Sequence, residues 1–441
     1  MTSERDKRIY PKKVHAYTTV ALLTLANVVA FVDRQIPAML VGPIKQDFNL
    51  SDSQMALLLG AAFSVSYALM ALPIGYAVDR LRRKDVLGSA LLVWSCMTMS
   101  ALFANSYAKL FGVRMGVAAG DAAFAPSSVS LVGDSFAEAE RGRALGITTA
   151  GIYIGVGISF WGGGALIDYL TAIGGLTIPI VGFVKPWQAV FLMSGIPGLL
   201  LALAVFLLPE PPRAIAIASG HNNAGESDLR SHLSAHRVTL AFMFGGLIFM
   251  ALIFYSFAAW APSMMVRTFG LSIAEVGKSL GAITIISSIA GTIVAGMSVD
   301  WLSKKGYRDA PIRVAMCACL LALPAIVSAP LMGSLTLCWL LLSVYLMFIS
   351  GWATLGLLAV SGVSSDGFKG RMTSIFTLVM MIGSATMGPQ LTAFFTDFVF
   401  VDESKLNWSI SLTAGLTLPI AALFFRACLP HYAHSVERLH E

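Results

Sequence analysis

The sequence is short of charge. Only 12% of its 441 residues are Asp, Glu, Lys or Arg, whereas 56% are hydrophobic, and the mean hydropathy is +0.76. A soluble domain carries about 25% charged residues, and a soluble protein of this length could not keep so much apolar surface away from water. The scarcity of charge therefore excludes a water-soluble protein and indicates that lipid surrounds most of the chain.

The apolar segments of the sequence lack histidine and carry few cysteines. No histidine lies within an apolar segment, which excludes an intramembrane histidine–metal site or histidine proton relay. No nucleophile motif or phosphate-binding loop lies at membrane depth, so we predict neither an enzyme nor a bound cofactor or metal. The cysteines lie in apolar segments, and we interpret them as small core residues. They are Cys96, Cys317, Cys319, Cys338 and Cys428.

Long apolar runs predict transmembrane helices, each of which needs about 20 mainly apolar residues. Residues 1–13 are polar and the first apolar run is too long for a signal-peptide core, so we expect no cleavable signal. The runs predict an all-α membrane protein with twelve spans. Spans 1 to 12 are predicted at 17–42, 54–78, 86–105, 108–132, 143–166, 187–208, 237–262, 274–298, 311–331, 334–360, 373–396 and 407–429.

Basic residues between the spans predict the orientation. If both termini are cytoplasmic, 22 of the 30 Lys and Arg residues lie on the cytoplasmic side and six lie outside. Such a bias is typical of the cytoplasmic loops of membrane proteins. We therefore predict a multi-pass protein of a bacterial inner membrane with both termini inside. The net charge of +6 fits this topology better than it fits nucleic-acid binding.

A repeated motif divides the chain into two halves. The Gly-x-x-x-Asp pattern that begins at Gly75, between spans 2 and 3, recurs from Gly296, between spans 8 and 9, with paired cations after both copies. We predict two pseudo-symmetric six-helix bundles, 1–208 and 237–441, with a mobile cytoplasmic linker at 209–236. The working cavity is expected between the bundles, near the middle of the bilayer.

We interpret the repeated loops as cytoplasmic gates that break and re-form as the bundles rock. The glycines would let neighbouring helices pack closely. The aspartates would accept hydrogen bonds at helix starts, and the cations would face the anionic leaflet. The simpler alternative is that any short cytoplasmic loop is basic. The candidate gate residues are Gly75, Asp79, Arg80, Arg83, Lys84, Arg143, Asp300, Lys304 and Lys305.

In the first half of the chain, four charged residues lie inside the predicted spans and away from their ends, where each costs several kcal/mol unless it is paired or hydrated. Asp33 and Arg34 belong to span 1, and Arg114 and Asp121 belong to span 4. The latter two are two helical turns apart and share a face. Estimated depth places Asp33 and Arg114 together in the outer half.

We interpret these four residues as the site of substrate binding and proton coupling. A nearby arginine favours an ionised aspartate, whereas desolvation favours the protonated form, so the balance changes as a cavity opens and closes. Protonation could also release Arg114 to bind an anionic head group. The alternative for Asp33 and Arg114 is a static pair between spans 1 and 4, and Arg34 could instead extend outward.

Several of these motifs carry a resemblance. The Gly75-to-Lys84 loop with its partial copy, Arg114, and the glycine-rich span 5 resemble the major facilitator superfamily. Within it, four stretches are similar to the Spinster family: Phe31-Val-Asp33-Arg34, Phe48-Asn-Leu-Ser-Asp-Ser-Gln54, Pro209-Glu-Pro-Pro-Arg213 and Trp260-Ala-Pro262. In span 4, Asp121 and Phe124 replace the Glu and Tyr of that family's pattern. The resemblance implies alternating-access transport of lysophospholipids or sphingoid lipids, coupled to protons.

The distribution of charge also bears on the substrate. A charged first half and an apolar second half suit an amphiphile, with its head by spans 1 and 4 and its tail among spans 7, 8, 10 and 11. A proton-coupled carrier of small organic anions and a multidrug exporter are the alternatives; the first would favour a cation in the second half, where the central turns carry none. We expect a monomer without nucleic-acid partners. Candidate tail contacts, each of which could instead be packing, are Tyr153, Phe254, Trp260 and Trp352.

Overall fold

The computed structural model describes residues 11–179, 181–211, 226–364 and 369–438. Within these ranges, twelve helices are long and apolar enough to cross a membrane, which confirms the predicted all-α membrane fold. In chain order, spans 1 to 12 are Lys13–Met39, Asp52–Arg80, Arg83–Phe103, Tyr107–Ser135, Glu140–Ala172, Pro186–Phe206, Arg237–Phe269, Ile273–Lys304, Ala310–Leu331, Leu335–Gly362, Gly370–Phe400 and Glu403–Glu437.

Shorter elements lie between the spans. A helix at Val41–Phe48 follows span 1. Strands Leu176–Ile178 and Gly182–Val184 form an antiparallel hairpin between spans 5 and 6. A further helix at Glu226–Ala235 precedes span 7. This helix lies within the predicted linker, 209–236, of which residues 212–225 lie outside the described ranges.

Some spans are interrupted where the hydrogen-bonding pattern changes. Span 4 consists of two α-helices, Tyr107–Asp121 and Phe124–Ser135, so Asp121 ends the first of them. Span 2 contains a π-helical turn at Leu57–Ala61, and span 11 contains two more, at Met381–Thr386 and Phe395–Phe400. Such turns are rare in α-helices and are frequent at functional sites.

The chain forms two compact units. Unit 1 consists of the described residues within Met1–Phe48 and Val65–Ser219. Unit 2 consists of those within Asn49–Ser64 and Gly220–Glu441. Residues 52–64 of span 2, nearly half of that helix, therefore belong to unit 2, and the rest belongs to unit 1.

Glycines bring the helices of unit 1 into close contact. A β-carbon at Gly155 of span 5 would lie 2.5 Å from the carbonyl oxygen of Val28 in span 1. A β-carbon at Gly195 of span 6 would lie 2.9 Å from the carbonyl oxygen of Ser95 in span 3. Any side chain there would force the helices apart, and small residues at such contacts are what allow membrane helices to approach. These contacts fix the position of span 1, which carries Asp33.

Buried hydroxyl groups join the helices of unit 2. The hydroxyl of Thr392 in span 11 lies 2.6 Å from that of Ser256 in span 7 and 2.8 Å from that of Thr413 in span 12. One turn further along, Thr396 donates to Ser409 at 2.8 Å. All five side chains are fully buried. Because lipid cannot satisfy these groups, each hydroxyl gains from a partner on a neighbouring helix.

The cysteines only partly match their interpretation as core residues. Cys319, Cys338 and Cys428 are buried, as expected. Cys96 and Cys317 are exposed on the protein surface, so the prediction is wrong for these two. Their apolar surroundings in sequence reflect lipid contact, which hydropathy alone does not distinguish from burial in protein.

Candidate functional site

Unit 1 contains a cavity of about 260 Å³ among spans 1, 2, 4 and 5. One part of its wall is polar and carries opposite charges, whereas the rest is aliphatic or aromatic. The polar lining includes Asn27, Arg34, Tyr67, Asp121, Ser128 and Thr149. The apolar lining includes Phe31, Phe124, Val129 and Ile152.

Arg34 and Asp121 meet at this cavity. Both line it, and the charge of the Arg34 guanidinium acts on the Asp121 carboxyl group. The guanidinium carbon of Arg34 also lies 5.5 Å from the ring centre of Phe31, one turn earlier in span 1. The structure therefore places Arg34 against the cavity instead of extending it outward to the lipid surface.

Asp33 is buried beside the cavity but does not belong to its lining. Its side chain is 2% exposed. The hydroxyl of Thr98 in span 3 donates to its Oδ2 atom at 3.4 Å, while its Oδ1 atom accepts no hydrogen bond among the described residues. A fully buried carboxylate with one unsatisfied oxygen is costly to keep ionised.

Arg114 connects span 4 to span 1. It is 2% exposed, and its Nη1 and Nη2 atoms donate to the main-chain carbonyls of Asp33 at 3.2 Å and Arg34 at 3.5 Å. The side chains of Asp33, Arg34 and Asp121 all lie close enough to act on it electrostatically. The four predicted residues therefore form one cluster, in which these two hydrogen bonds of Arg114 go to main-chain carbonyl groups.

The aromatic candidates are found in different surroundings. Trp260 is fully buried, and its Nε1 atom donates to the carbonyl of Pro389 at 3.0 Å, which joins spans 7 and 11 within unit 2. Phe254 and Trp352 have ring centres 5.9 Å apart and belong to a cluster of aromatic rings. Tyr153 is half-buried in span 5, where its neighbour Ile152 lines the cavity of unit 1.

Among the gate candidates, Arg83 occupies a buried charged cluster in unit 1. It is 1% exposed, its Nε atom donates to Glu210 at 2.9 Å, and its Nη1 atom is paired with Asp134. The same Glu210 carboxylate accepts from the main-chain N–H groups of Arg83 at 3.1 Å and Lys84 at 3.0 Å. Glu210 therefore caps the start of span 3, where the helix dipole favours a negative charge.

Lys84 is half-buried, and its Nζ atom donates to the carbonyls of Phe206 at 3.0 Å and Leu208 at 2.6 Å. The other charged gate candidates lie at the surface of their units. Arg80 and Lys305 stack on aromatic rings of their own helices, 4.0 Å from Tyr76 and 3.6 Å from Trp301. The remaining exposed candidates are Asp79, Arg143, Asp300 and Lys304.

The repeated glycines do not make the predicted helix contact. A β-carbon at Gly75 or Gly296 would meet no described atom within 4 Å. The prediction that these two glycines allow close helix packing is therefore wrong for this structure. The close approaches in unit 1 occur instead at other glycines, such as Gly155 and Gly195.

Sequence reasoning missed three ion pairs. Asp134 and Glu210, which hold Arg83, were not among the candidates. In unit 2, the fully buried Asp52 accepts two hydrogen bonds from Arg267, at 2.7 and 2.8 Å. Glu210 and Asp52 lie beside helix ends, in stretches that carried a family resemblance, and that position was their only signal in the sequence. Among the described residues, no group of three His, Cys, Asp or Glu side chains could hold a metal ion.

The comparisons agree with this geometry. The profile of the Major Facilitator Superfamily matches residues 23–389, so the chain belongs to that superfamily of membrane transporters. The solved structure of a bacterial homologue of the human lysosomal transporter Spinster, inward-facing and unoccupied, has the same fold, with a TM-score of 0.81, 24% identity and 98% of each chain covered.

Two curated relatives of this chain are transporters with different activities. An MFS-type efflux pump of Mycolicibacterium smegmatis is 28% identical over 335 residues, which cover 74% of this chain and 72% of the pump. A hexuronate transporter of Bacillus subtilis is 25% identical over 400 residues, which cover 86% of this chain and 87% of that protein. The chain is thus a multi-pass membrane transporter and not an enzyme, and its predicted similarity to Spinster is confirmed.

Proposed function

We propose that this chain is a proton-coupled secondary transporter of an amphiphilic lipid, of the lysophospholipid or sphingoid type. The observation that carries the proposal is the mixed lining of the cavity in unit 1. Arg34 and Asp121 provide charges in one part of the wall, and aromatic and aliphatic side chains form the rest. A ligand with a charged head and an apolar chain matches both parts.

Arg34 is the residue that would bind an anionic head group. Its planar guanidinium group pairs with two oxygens of a phosphate or carboxylate at once. The apolar wall around Phe124 and Ile152 would receive the first methylene groups of the chain. Each methylene group transferred from water contributes about 0.8 kcal/mol.

Asp33 would carry the coupled proton. A buried carboxylate inside the bilayer is costly when ionised unless charges or donors compensate it, and Arg114 and Thr98 lie within reach to do so. Neutralising Asp33 removes one negative charge beside Arg114, which leaves Asp121 and a bound head group as the anions near that guanidinium. Proton binding would thereby favour one conformation of the carrier over the other.

A second candidate is a proton-coupled carrier of small organic anions such as sugar acids. Two observations favour it: the hydroxyl and amide groups of Asn27, Ser128 and Thr149 beside Arg34, and the similarity to the hexuronate transporter. A cavity of about 260 Å³ would accept a ligand of that size. For either substrate we propose a bacterial inner membrane with both termini in the cytoplasm.

The test is transport by the purified protein in proteoliposomes, with and without an imposed pH gradient. Labelled lysophospholipid and labelled hexuronate are assayed separately, for wild type, Asp33→Asn and the control Asp85→Asn, whose side chain is 45% exposed at the start of span 3. We expect gradient-dependent lipid transport that is lost only in Asp33→Asn. Hexuronate transport without lipid transport would establish the second candidate, and gradient-independent transport would refute proton coupling.

A further inference from the structure

Span 1 presents its two adjacent charges to different surroundings. Neighbouring residues on an α-helix point about 100° apart. Arg34 lines the cavity with Asp121, whereas Asp33 contacts Thr98 of span 3 and interacts with Ser194 of span 6. The group proposed to carry the proton is therefore separated from the charged wall of the substrate cavity.

The surroundings of the Asp33 carboxyl group are polar but closed. Thr98 is 2% exposed, Trp94 is 1% exposed, and Ser194 is 9% exposed. The Oδ1 atom of Asp33 and the Nε1 atom of Trp94 are both buried and have no partner at hydrogen-bond distance among the described residues, although the Trp94 side chain also interacts with the Asp33 carboxyl group. An unsatisfied acceptor of this kind raises the free energy of the ionised carboxylate more than that of the protonated acid. The hydroxyl donors beside Asp33 act in the opposite direction.

Close helix packing fixes these donors. Gly195 of span 6 lies against the main chain of Ser95 in span 3, and a β-carbon at Gly120 of span 4 would come 2.8 Å from the carbonyl oxygen of Ala90, also in span 3. Span 3 is thus in contact with glycines on both neighbouring helices. These contacts restrict the movement of span 3 and therefore of the Thr98 hydroxyl that it carries.

Ser194 has two acceptors within its reach and only one proton to donate. Its hydroxyl donates to the carbonyl of Phe191 at 3.1 Å, one turn earlier in span 6, and it also interacts with the Asp33 carboxyl group. A serine hydroxyl rotates freely about its C–O bond and serves one acceptor at a time. It can therefore turn towards Asp33 when that group is ionised and towards Phe191 when it is protonated.

We propose that Thr98 and Ser194 are positioning residues that hold the Asp33 carboxyl group and set the pH at which it exchanges its proton, on a face separate from the substrate cavity. The inference rests on the proposed proton coupling. Donors to the ionised form favour that form, so removing either hydroxyl raises the pH at which Asp33 binds its proton. The charged group that acts on Asp33 is Arg114, which in turn interacts with Arg34 and Asp121, and substituting a hydroxyl leaves all three in place.

The experiment follows the carboxyl C=O stretching band in infrared difference spectra of the purified protein as a function of pH. The band of Asp33 is the one missing from Asp33→Asn. In Thr98→Val, which keeps the shape of the side chain, we expect the midpoint of this band to move to higher pH by about 0.5 to 1 unit, the effect of losing one weak hydrogen bond to a charged group. Ser194→Ala should move it in the same direction, and Thr98→Ser should restore the wild-type midpoint.

Thr24→Val is the matched control. Thr24 also lies in span 1, and its hydroxyl donates to the carbonyl of Val20 in the same helix. We expect its midpoint to equal that of wild type. If Thr98→Val and Ser194→Ala both keep the wild-type midpoint, the inference is overturned, even where their thermal stability falls.

The infrared signal also separates this inference from the proposed function. It needs no substrate, so a band that titrates and shifts as expected supports the inference even if neither lipid nor hexuronate is transported. A band that titrates without shifting refutes the positioning role and leaves proton coupling intact. Absence of any titrating band assigned to Asp33 would refute both.

Discussion

The two units differ in how their buried polar groups are paired within the membrane-spanning helices. In unit 1 the polar interior is ionic: Asp33 and Arg114 are each 2% exposed and lie in one cluster with Arg34 and Asp121. In unit 2 the buried ion pair of Asp52 and Arg267 lies near helix ends, and spans 7, 11 and 12 are joined instead by a ladder of hydroxyl groups centred on Thr392. Hydroxyl pairs stabilise membrane helix contacts modestly and without burying charge.

The contrast suggests a division of roles. Buried ion pairs are poor stabilisers, because desolvation offsets most of their attraction, and charges within the bilayer usually mark a functional site. The hydroxyl ladder is a structural device that holds spans 7, 11 and 12 together. We therefore expect substitutions in the ionic cluster to alter transport more than stability, and substitutions in the ladder to do the reverse.

The largest effect is expected for Asp33→Asn. The amide has nearly the shape of the carboxyl group but binds no proton, so gradient-driven transport should fall by more than about tenfold, the equivalent of roughly 1.4 kcal/mol. The Tm should stay within a few degrees of that of wild type, because the amide keeps the shape of the side chain and Arg114 still has Asp121 as an anionic neighbour. Transport in proteoliposomes and a thermal melt of the same sample measure both. If the variant fails to fold, Asp33 holds helices together, as the hydroxyl ladder does in unit 2, and is not a specialised proton carrier.

Arg34→Gln should weaken substrate binding by about 10- to 100-fold. A hydrogen bond to a charged group contributes about 1.5–3 kcal/mol, and every 1.4 kcal/mol corresponds to a factor of about ten. Binding of labelled substrate to the purified protein gives the Kd. Arg308→Gln is the control, since that arginine is 55% exposed beside Glu437 at the surface of unit 2. Equal substrate affinities in Arg34→Gln and Arg308→Gln would show that Arg34 does not bind the substrate.

Thr392→Val tests the other side of the comparison. The variant keeps the shape of the side chain but loses its hydrogen bonds to Ser256 and Thr413. Unfolding should become easier by about 0.6 to 2 kcal/mol, the range for such bonds between membrane helices, while transport per folded molecule stays unchanged. Thr377→Val serves as control, because that exposed hydroxyl donates only within its own helix, to Thr373. Reduced transport at unchanged stability would show that the ladder takes part in function.

The features that the sequence predicted well depend on local constraints. Hydrocarbon thickness requires about 20 apolar residues per span, so all twelve helices could be located by length and hydropathy. The proximity of Arg114 to span 1 followed from helical rise and from the cost of an isolated charge in lipid. The first-half charges were thus recognisable as a cluster before their contacts were known.

Pairings between distant helices left no such signal. Arg267 and Asp52 are 215 residues apart, and Arg83 and Glu210 are 127 apart. Each lies at a helix end, where charged residues are common for reasons of topology. Periodicity within one span cannot select the partner on another. The partner helix of a glycine is equally hidden in the sequence. The repeated motif therefore predicted a close helix contact at Gly75, whereas the structure makes such contacts at other glycines.

The smallest effect is expected for Trp260→Phe. The indole ring is fully buried and its Nε1 atom donates to Pro389, so the variant keeps most of the apolar contact and loses one hydrogen bond. Stability should fall by about 0.5–1.5 kcal/mol, measured by thermal or chemical unfolding. Because the ring packs inside unit 2, the preference among lysophospholipids of different chain length should not change. The control is Trp408→Phe, an indole that is 48% exposed and should leave stability unchanged. A changed chain-length preference in Trp260→Phe alone would instead place this tryptophan beside the substrate, and unit 2 would then share in recognition.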